Sequence, residues 1–290
     1  MFDNIFAAIE KWMRELLTGM VESNMSTMFT DVNEKTSEIA AQVGRTPQNW
    51  NSSVFSMIQN LSESVVVPIA GIIITLVLCY ELISMLTERN NLHDVDTWMF
   101  FKYFVKAWVA IYLVSNTFTI TMAVFDVGQS VVNSASGIIN GETAIDVSSL
   151  SMQMQAAMAT MEIGELVVLA LETFLVSFCM KIMSVVITVI VYGRMIEIYL
   201  YTSLAPIPFA TMSNREWGHV GTNYFRGLFA LAFQAFLMMV CVAIYAVLIS
   251  SVRISSNMHS ALIGVAAYTV ILCFSLMKTG SLSKQLFGSH

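Results

Sequence analysis

"IGELVVLALETFLVSFCMKIMSVVITVIVYGRMIEIYLYTSLAPIPF", residues 163–209, decides the fold class. The run is almost wholly apolar, and its charged side chains are Glu165, Glu172, Lys181, Arg194 and Glu197. As one helix, 163–203 would be about 60 Å long at ~1.5 Å per residue. That is twice the ~30 Å thickness of a bilayer core. The segment must either begin outside the membrane or break near Lys181 into a hairpin. Pro206 and Pro208 then end it: each lacks an N–H, and each drives its predecessor, Ala205 or Ile207, out of helical geometry.

The whole chain agrees with this stretch. It is 56% hydrophobic and 12% charged, with a mean hydropathy of +0.70. Soluble domains carry about 25% charged residues. The chain reads as an all-α polytopic protein of the cytoplasmic (inner) membrane. A net charge of −6 gives no basic footprint for nucleic acid. The opening MFDNIFAAIEKW has an acid at position 3 and no basic n-region, so it is not expected to act as a signal peptide.

Working outward, residues 1–62 form an N-terminal segment. Its apolar stripe (Phe2, Phe6, Ile9, Trp12, Met13 and Leu16) predicts an amphipathic helix over 2–22 that lies at an interface, on lipid or on its own membrane domain. Residues 21–62 are polar and read as a second short helix and a loop. The first transmembrane hairpin occupies 63–128, with spans near 65–86 and 103–127. Pro68 falls in the first turn, where its missing N–H costs nothing. An acidic loop, 129–162, follows. The third helix and its Pro elbow fill 163–212. Two more spans, near 225–250 and 260–277, and a short tail complete 213–290.

Lys and Arg set the orientation. Arg89, Lys102, Arg215, Lys278 and Lys284 mark 88–102, 203–224 and the tail as cytoplasmic. The 129–162 loop has only acids, Glu142, Asp146 and Glu162. Five spans, N-out and C-in, satisfy this bias. A hairpin at Lys181 would spoil it, so an unbroken long helix is expected. Arg194 and Glu197, three residues apart, are placed to pair. A lysine deep in a bilayer costs ~3 kcal/mol unless satisfied. Lys181 should therefore face protein, a watered cavity or the outer interface. Glu172, Arg226 and Gln234 are the other intramembrane or interfacial polar groups. The elbow, with Pro206, Pro208, Arg215 and Trp217, reads as a fixed cytoplasmic contact surface.

The stretch "YLYTSLAPIPFATM", its short polar loop, and "NYFRGLFALAFQAFLMMV" resemble the TrbL-like family. These are polytopic inner-membrane subunits of type IV secretion and conjugation machines, with compact relatives in Gram-positive conjugative elements. The likeness is most specific over about 190–240. It implies a non-enzymatic channel or scaffold subunit, acting as a homo-oligomer. Its implied partners are the bilayer, the assembly ATPases, extracytoplasmic channel or stalk proteins, and transient single-stranded DNA–relaxase cargo. No stable nucleic-acid binding by this chain alone is expected. If it lines a conduit, the lining is neutral, built from Ser, Thr, Asn and Met.

Rival readings are thinner. A secondary transporter predicts inverted repeats with charges meeting at the midplane. No repeat is visible, and only Glu172, Lys181 and Gln234 are available for such a site. The histidines His93, His219, His259 and His290 are scattered, and no hydrolase or nucleotide motif is present. Cys79, Cys179, Cys241 and Cys273 sit singly in apolar segments. No cofactor or metal is expected. The methionines, including Met152, Met154, Met158 and Met161, read as adaptable packing.

Overall fold

The computed structural model describes residues 2–87, 97–139, 147–252 and 258–289, with 2, 3, 136–139 and 147–150 as backbone alone. Phe2 of the stripe, and Arg89, Glu142 and Asp146 of the charge pattern, thus fall outside the described side chains. Among the described residues every regular element is a helix. In chain order they are α1 (Phe2–Val43), α2 (Pro47–Trp50), α3 (Ser52–Leu61), a π-turn at Ser62–Val66, α4 (Val67–Thr87), α5 (Thr97–Ser115) and α6 (Thr117–Ile139). Then come α7 (Val147–Met158), α8 (Ile163–Ser203), α9 (Pro206–Thr211), α10 (Gly218–Ser250) and α11 (Met258–Leu286). Five described stretches are long and apolar enough to cross a membrane: Ser52–Thr87, Thr97–Ser115, Ile163–Ser203, Gly218–Ser250 and Met258–Leu286. The chain is an all-α, multi-pass membrane protein.

Several boundaries differ from the sequence reading. The helix expected over 2–22 continues to Val43, and the loop expected after it is helical. The reason is a second stripe within the polar segment. Val21, Met25, Met28, Val32, Ile39 and Val43 are buried and recur at helical spacing on one side of α1. No glycine or proline interrupts them before Gly44. Thr46 and Asn51 then cap α2 and α3 through their side-chain oxygens, as short polar residues do.

The first span is longer than 65–86 and begins in α3. Pro68 therefore sits inside a continuous helix, where its ring crowds the carbonyl four residues back. The π-turn just before it relieves this, with Val67 N–H donating to Ser62 O, five residues back. The expected second span, 103–127, is broken at Asn116. Asn116 Nδ2 donates to Tyr112 O (2.9 Å), and Thr117 Oγ1 donates to Leu113 O (2.8 Å). Side chains that bond back to carbonyls in this way bend a helix. The spanning piece is α5, and α6 is a separate helix. The acidic segment 129–162 is likewise largely helical, in α6 and α7.

The helices form two compact units, and α6, α8, α10 and α11 each contribute to both. The first comprises 1–43, 134–191 and 238–278. There α7 packs on α1, and Met25, Met28, Met154 and Met158 are fully buried. Glu22 accepts hydrogen bonds from Ser151 (3.1 Å) and Gln155 (2.6 Å). Arg14 donates to Met161 O (2.8 Å), and Lys35 donates to Thr188 Oγ1 (3.2 Å). Tyr245 of α10 meets Thr269 of α11 at 2.8 Å. The second unit comprises 44–133, 192–237 and 279–290. It contains α2–α5 and the elbow.

Candidate functional site: the proline elbow and its rim

The long helix α8 runs unbroken to Ser203 and stops where the prolines require it to. Pro206 opens α9, a position at which a missing N–H is harmless. This six-residue helix is an internal element. Ala205, Pro206, Phe209 and Ala210 are buried. Ala205, Phe209 and Ala210 pack with Ala70 and Ile74 of α4, Ala110 and Val114 of α5, and Tyr224 of α10.

Glycines permit this packing. A Cβ on Gly221 would lie 2.1 Å from Met212 Cγ and 2.5 Å from Pro208 O. A Cβ on Gly227 would lie 2.1 Å from the Tyr201 hydroxyl oxygen. Tyr201 and Tyr224 stack with centroids 4.4 Å apart. Each hydroxyl donates to the other's backbone carbonyl, at 3.2 and 2.7 Å. The pair staples the end of α8 to the start of α10. Gly128 of α6 adds a second close approach, 3.0 Å from its ideal Cβ to Ala232 O.

The turn out of the elbow is fixed by Asn214. Its Oδ1 accepts from the Glu216 N–H (2.7 Å) and the Trp217 N–H (3.0 Å), satisfying free donors ahead of α10. Asn214 is buried, while Arg215, Glu216 and Trp217 are exposed. Trp217 stacks on Tyr80 at 5.7 Å, and Tyr80 donates to Glu216 (3.0 Å). Nearby on the same helices, Lys106 pairs with Glu81 and Tyr103 donates to Leu78 O (3.0 Å). The elbow thus has a buried frame, Pro206 with partly buried Pro208, and an exposed rim, Arg215 to Trp217.

The polar residues of the spans are placed differently from expectation. Arg194 does not pair with Glu197. It is 7% exposed and donates to Leu231 O at 3.4 Å, and its Nε has no hydrogen-bond partner. Glu197 pairs with Lys284 of α11 at 3.1 Å. Side chains three residues apart on a helix are neighbours, but Glu197 takes its ion pair from α11 and Arg194 turns its guanidinium to a backbone carbonyl of α10. Gln234 is buried and donates to Thr279 (3.4 Å), with its Oε1 unpartnered. Glu172 pairs with His259. Lys181 and Arg226 are exposed. Of the three groups a transporter site would need, Glu172 and Lys181 belong to the first unit and Gln234 to the second. Among the described residues no cluster of metal-ligating side chains occurs.

Against this arrangement, the model of the TrbL/VirB6 plasmid conjugal transfer-like family matches residues 32–206, more than half of the chain. The chain belongs to that family. No curated protein and no solved structure matches it. The match ends at Pro206, so this TrbL/VirB6-like chain carries its family signature from α1 to the opening of the elbow. Of the stretch over about 190–240 in which the sequence resemblance is most specific, the part up to Pro206 lies within the match and the part after it lies beyond. The sequence reading missed Tyr201, Tyr224, Asn214 and Tyr80. Only Asn214 left a signal, as a capping residue ahead of a glycine and an apolar helix.

Proposed function

We propose that this chain is an oligomeric channel or scaffold subunit of a type IV secretion apparatus in the cytoplasmic membrane. Its N-terminal segment lies outside the cytoplasm and its tail inside. The elbow's rim is the contact for cytoplasmic assembly ATPases, and α7 faces the extracytoplasmic channel parts. The observation that carries this is the rim itself. Arg215, Glu216 and Trp217 are exposed, yet the buried Asn214 cap and Tyr80 hold Glu216 and Trp217 in one geometry. A preorganised aromatic and charged surface of this kind suits a protein partner.

The test is site-specific photo-crosslinking of the full-length protein in its native membrane, at Trp217 and at the exposed Met152. Capture of a secretion ATPase at Trp217 and of an extracytoplasmic channel protein at Met152 is expected. Capture of neither, together with a monomer on native gels, would overturn the reading and put transport of a small solute in its place.

A further inference from the structure

Inside the first unit, a cavity of about 20 Å³ lies among α1, α8, α10 and α11. It has room for one water-sized particle. Its polar lining is Asp31, Lys35 and Thr36 of α1, Ser184 of α8, Tyr245 of α10 and Thr269 of α11. Apolar side chains of the same helices close the rest.

The protons of these groups are already committed. Thr269 Oγ1 donates to Val265 O (2.9 Å), so Tyr245 is the donor in the 2.8 Å contact between the two hydroxyls. The phenol oxygen is left with lone pairs alone. Thr36 spends its proton on Val32 O (2.8 Å). Ser184 Oγ makes no hydrogen bond among the described residues, and the half-buried Asp31 has neither a hydrogen bond nor an ion pair among them. The cation nearest in sequence is held elsewhere. Lys35 stands four residues after Asp31, in reach on one helix face, but it pairs with Glu38 and donates to Thr188 Oγ1 (3.2 Å). Thr188 can accept because its own proton goes to Ser184 O (3.0 Å). The cavity therefore offers oxygen lone pairs from four hydroxyls and one carboxylate that its own chain leaves without a counter-charge.

We infer that this pocket binds a small monovalent cation, of the size and hardness of Na+. Hard cations take oxygen ligands, and one carboxylate balances one positive charge. A divalent or transition-metal ion calls for several acid, imidazole or thiol side chains, and among the described residues no such group occurs. The apolar walls lower the local dielectric and strengthen the attraction of Asp31 for the ion. A water molecule in the same place would solvate Asp31 but leave its charge unmatched. The bound ion ties α1 to α8, α10 and α11 at one point, and Lys35 competes with it for Asp31 whenever its own partners release it. The site is independent of the partners proposed above.

The test uses full-length protein in detergent micelles, with Tm followed as NaCl replaces choline chloride at constant ionic strength, so that screening does not change. A saturable rise in Tm with Na+ is expected, because a ligand of the folded state stabilises it as it fills the site. Asp31→Asn should weaken the midpoint of that rise by about tenfold or more, since it removes the one charged ligand. Ser184→Ala, which removes a neutral ligand, should weaken it less. Thr188→Val should also weaken it, by freeing Lys35 to turn to Asp31, and Lys35→Gln should strengthen it. The last two directions would not be moved by a merely structural role of Asp31, and they decide the matter if Asp31→Asn does not fold. The same Tm in NaCl and in choline chloride would mean that the pocket holds water only and would overturn the inference. An unchanged midpoint in folded Asp31→Asn, or in both Thr188→Val and Lys35→Gln, would overturn it as well.

Discussion

The elbow and the outward face of α1 treat their exposed and buried residues in opposite ways. In the elbow the residues that attract notice in the sequence, Pro206 and Pro208, belong to the frame, and only the turn after them reaches outward. On α1 the residues that looked like filler, the serines and threonines after Met20, form the outward surface. A conspicuous motif can thus serve packing alone, and a bland one can be the surface offered to others. The separating observation is what a side chain touches. Pro206, Tyr224 and Gly221 touch their own chain. Thr27, Thr30 and Ser37 are exposed.

Substitutions can break or sharpen this contrast. The largest effect is expected at Gly221. Gly221→Leu places atoms where Met212 and Pro208 O already are. Overpacking should cost about 3 kcal/mol, seen as a sharp fall in detergent-extracted folded protein and in its Tm. A normal Tm would mean that the elbow is looser than its contacts imply. Asn214→Ala should cost about 1 kcal/mol, the worth of a lost helix cap. It should lower Tm modestly and weaken Trp217 crosslinking in the same variant, because the cap holds the rim. An unchanged Trp217 crosslink would separate the rim from the cap. Thr30→Ala should change stability by less than about 0.5 kcal/mol, as surface positions do. A measurable loss of Tm would show that α1's outward face is packed against its own chain after all.

Much of the fold was legible because the strongest signal in a membrane protein is apolar length. The long α8, the elbow that ends it and the number of spans all follow from runs of Leu, Ile, Val and Phe stopped by proline. What was not legible depended on weaker or longer-range signals. In 21–43 the buried side chains are separated by Ser, Thr, Asn and Glu, so a polar average hid a helical period. At Asn116 the break depends on two side chains bonding back to their own turn, in an otherwise apolar run. Glu197 has Arg194 three residues away, yet takes Lys284, 87 residues on in sequence. No spacing rule reaches that far. The elbow's location was readable, but its burial depended on Gly221 and Gly227 matching Met212 and Tyr201 across the fold.

The π-turn at Ser62–Val66 has a consequence for the rotation of the first span. Ile58, Ser62, Val66, Ala70 and Ile74 are all buried and recur every four residues. On a straight α-helix each four-residue step overshoots a full turn by about 40°, so this series would wind most of halfway round the helix between Ile58 and Ile74. A π-turn holds about one extra residue in its circuit and removes much of that drift. It acts as a phase corrector, letting one 36-residue helix keep a single flank inward from Ile58 to Ile74.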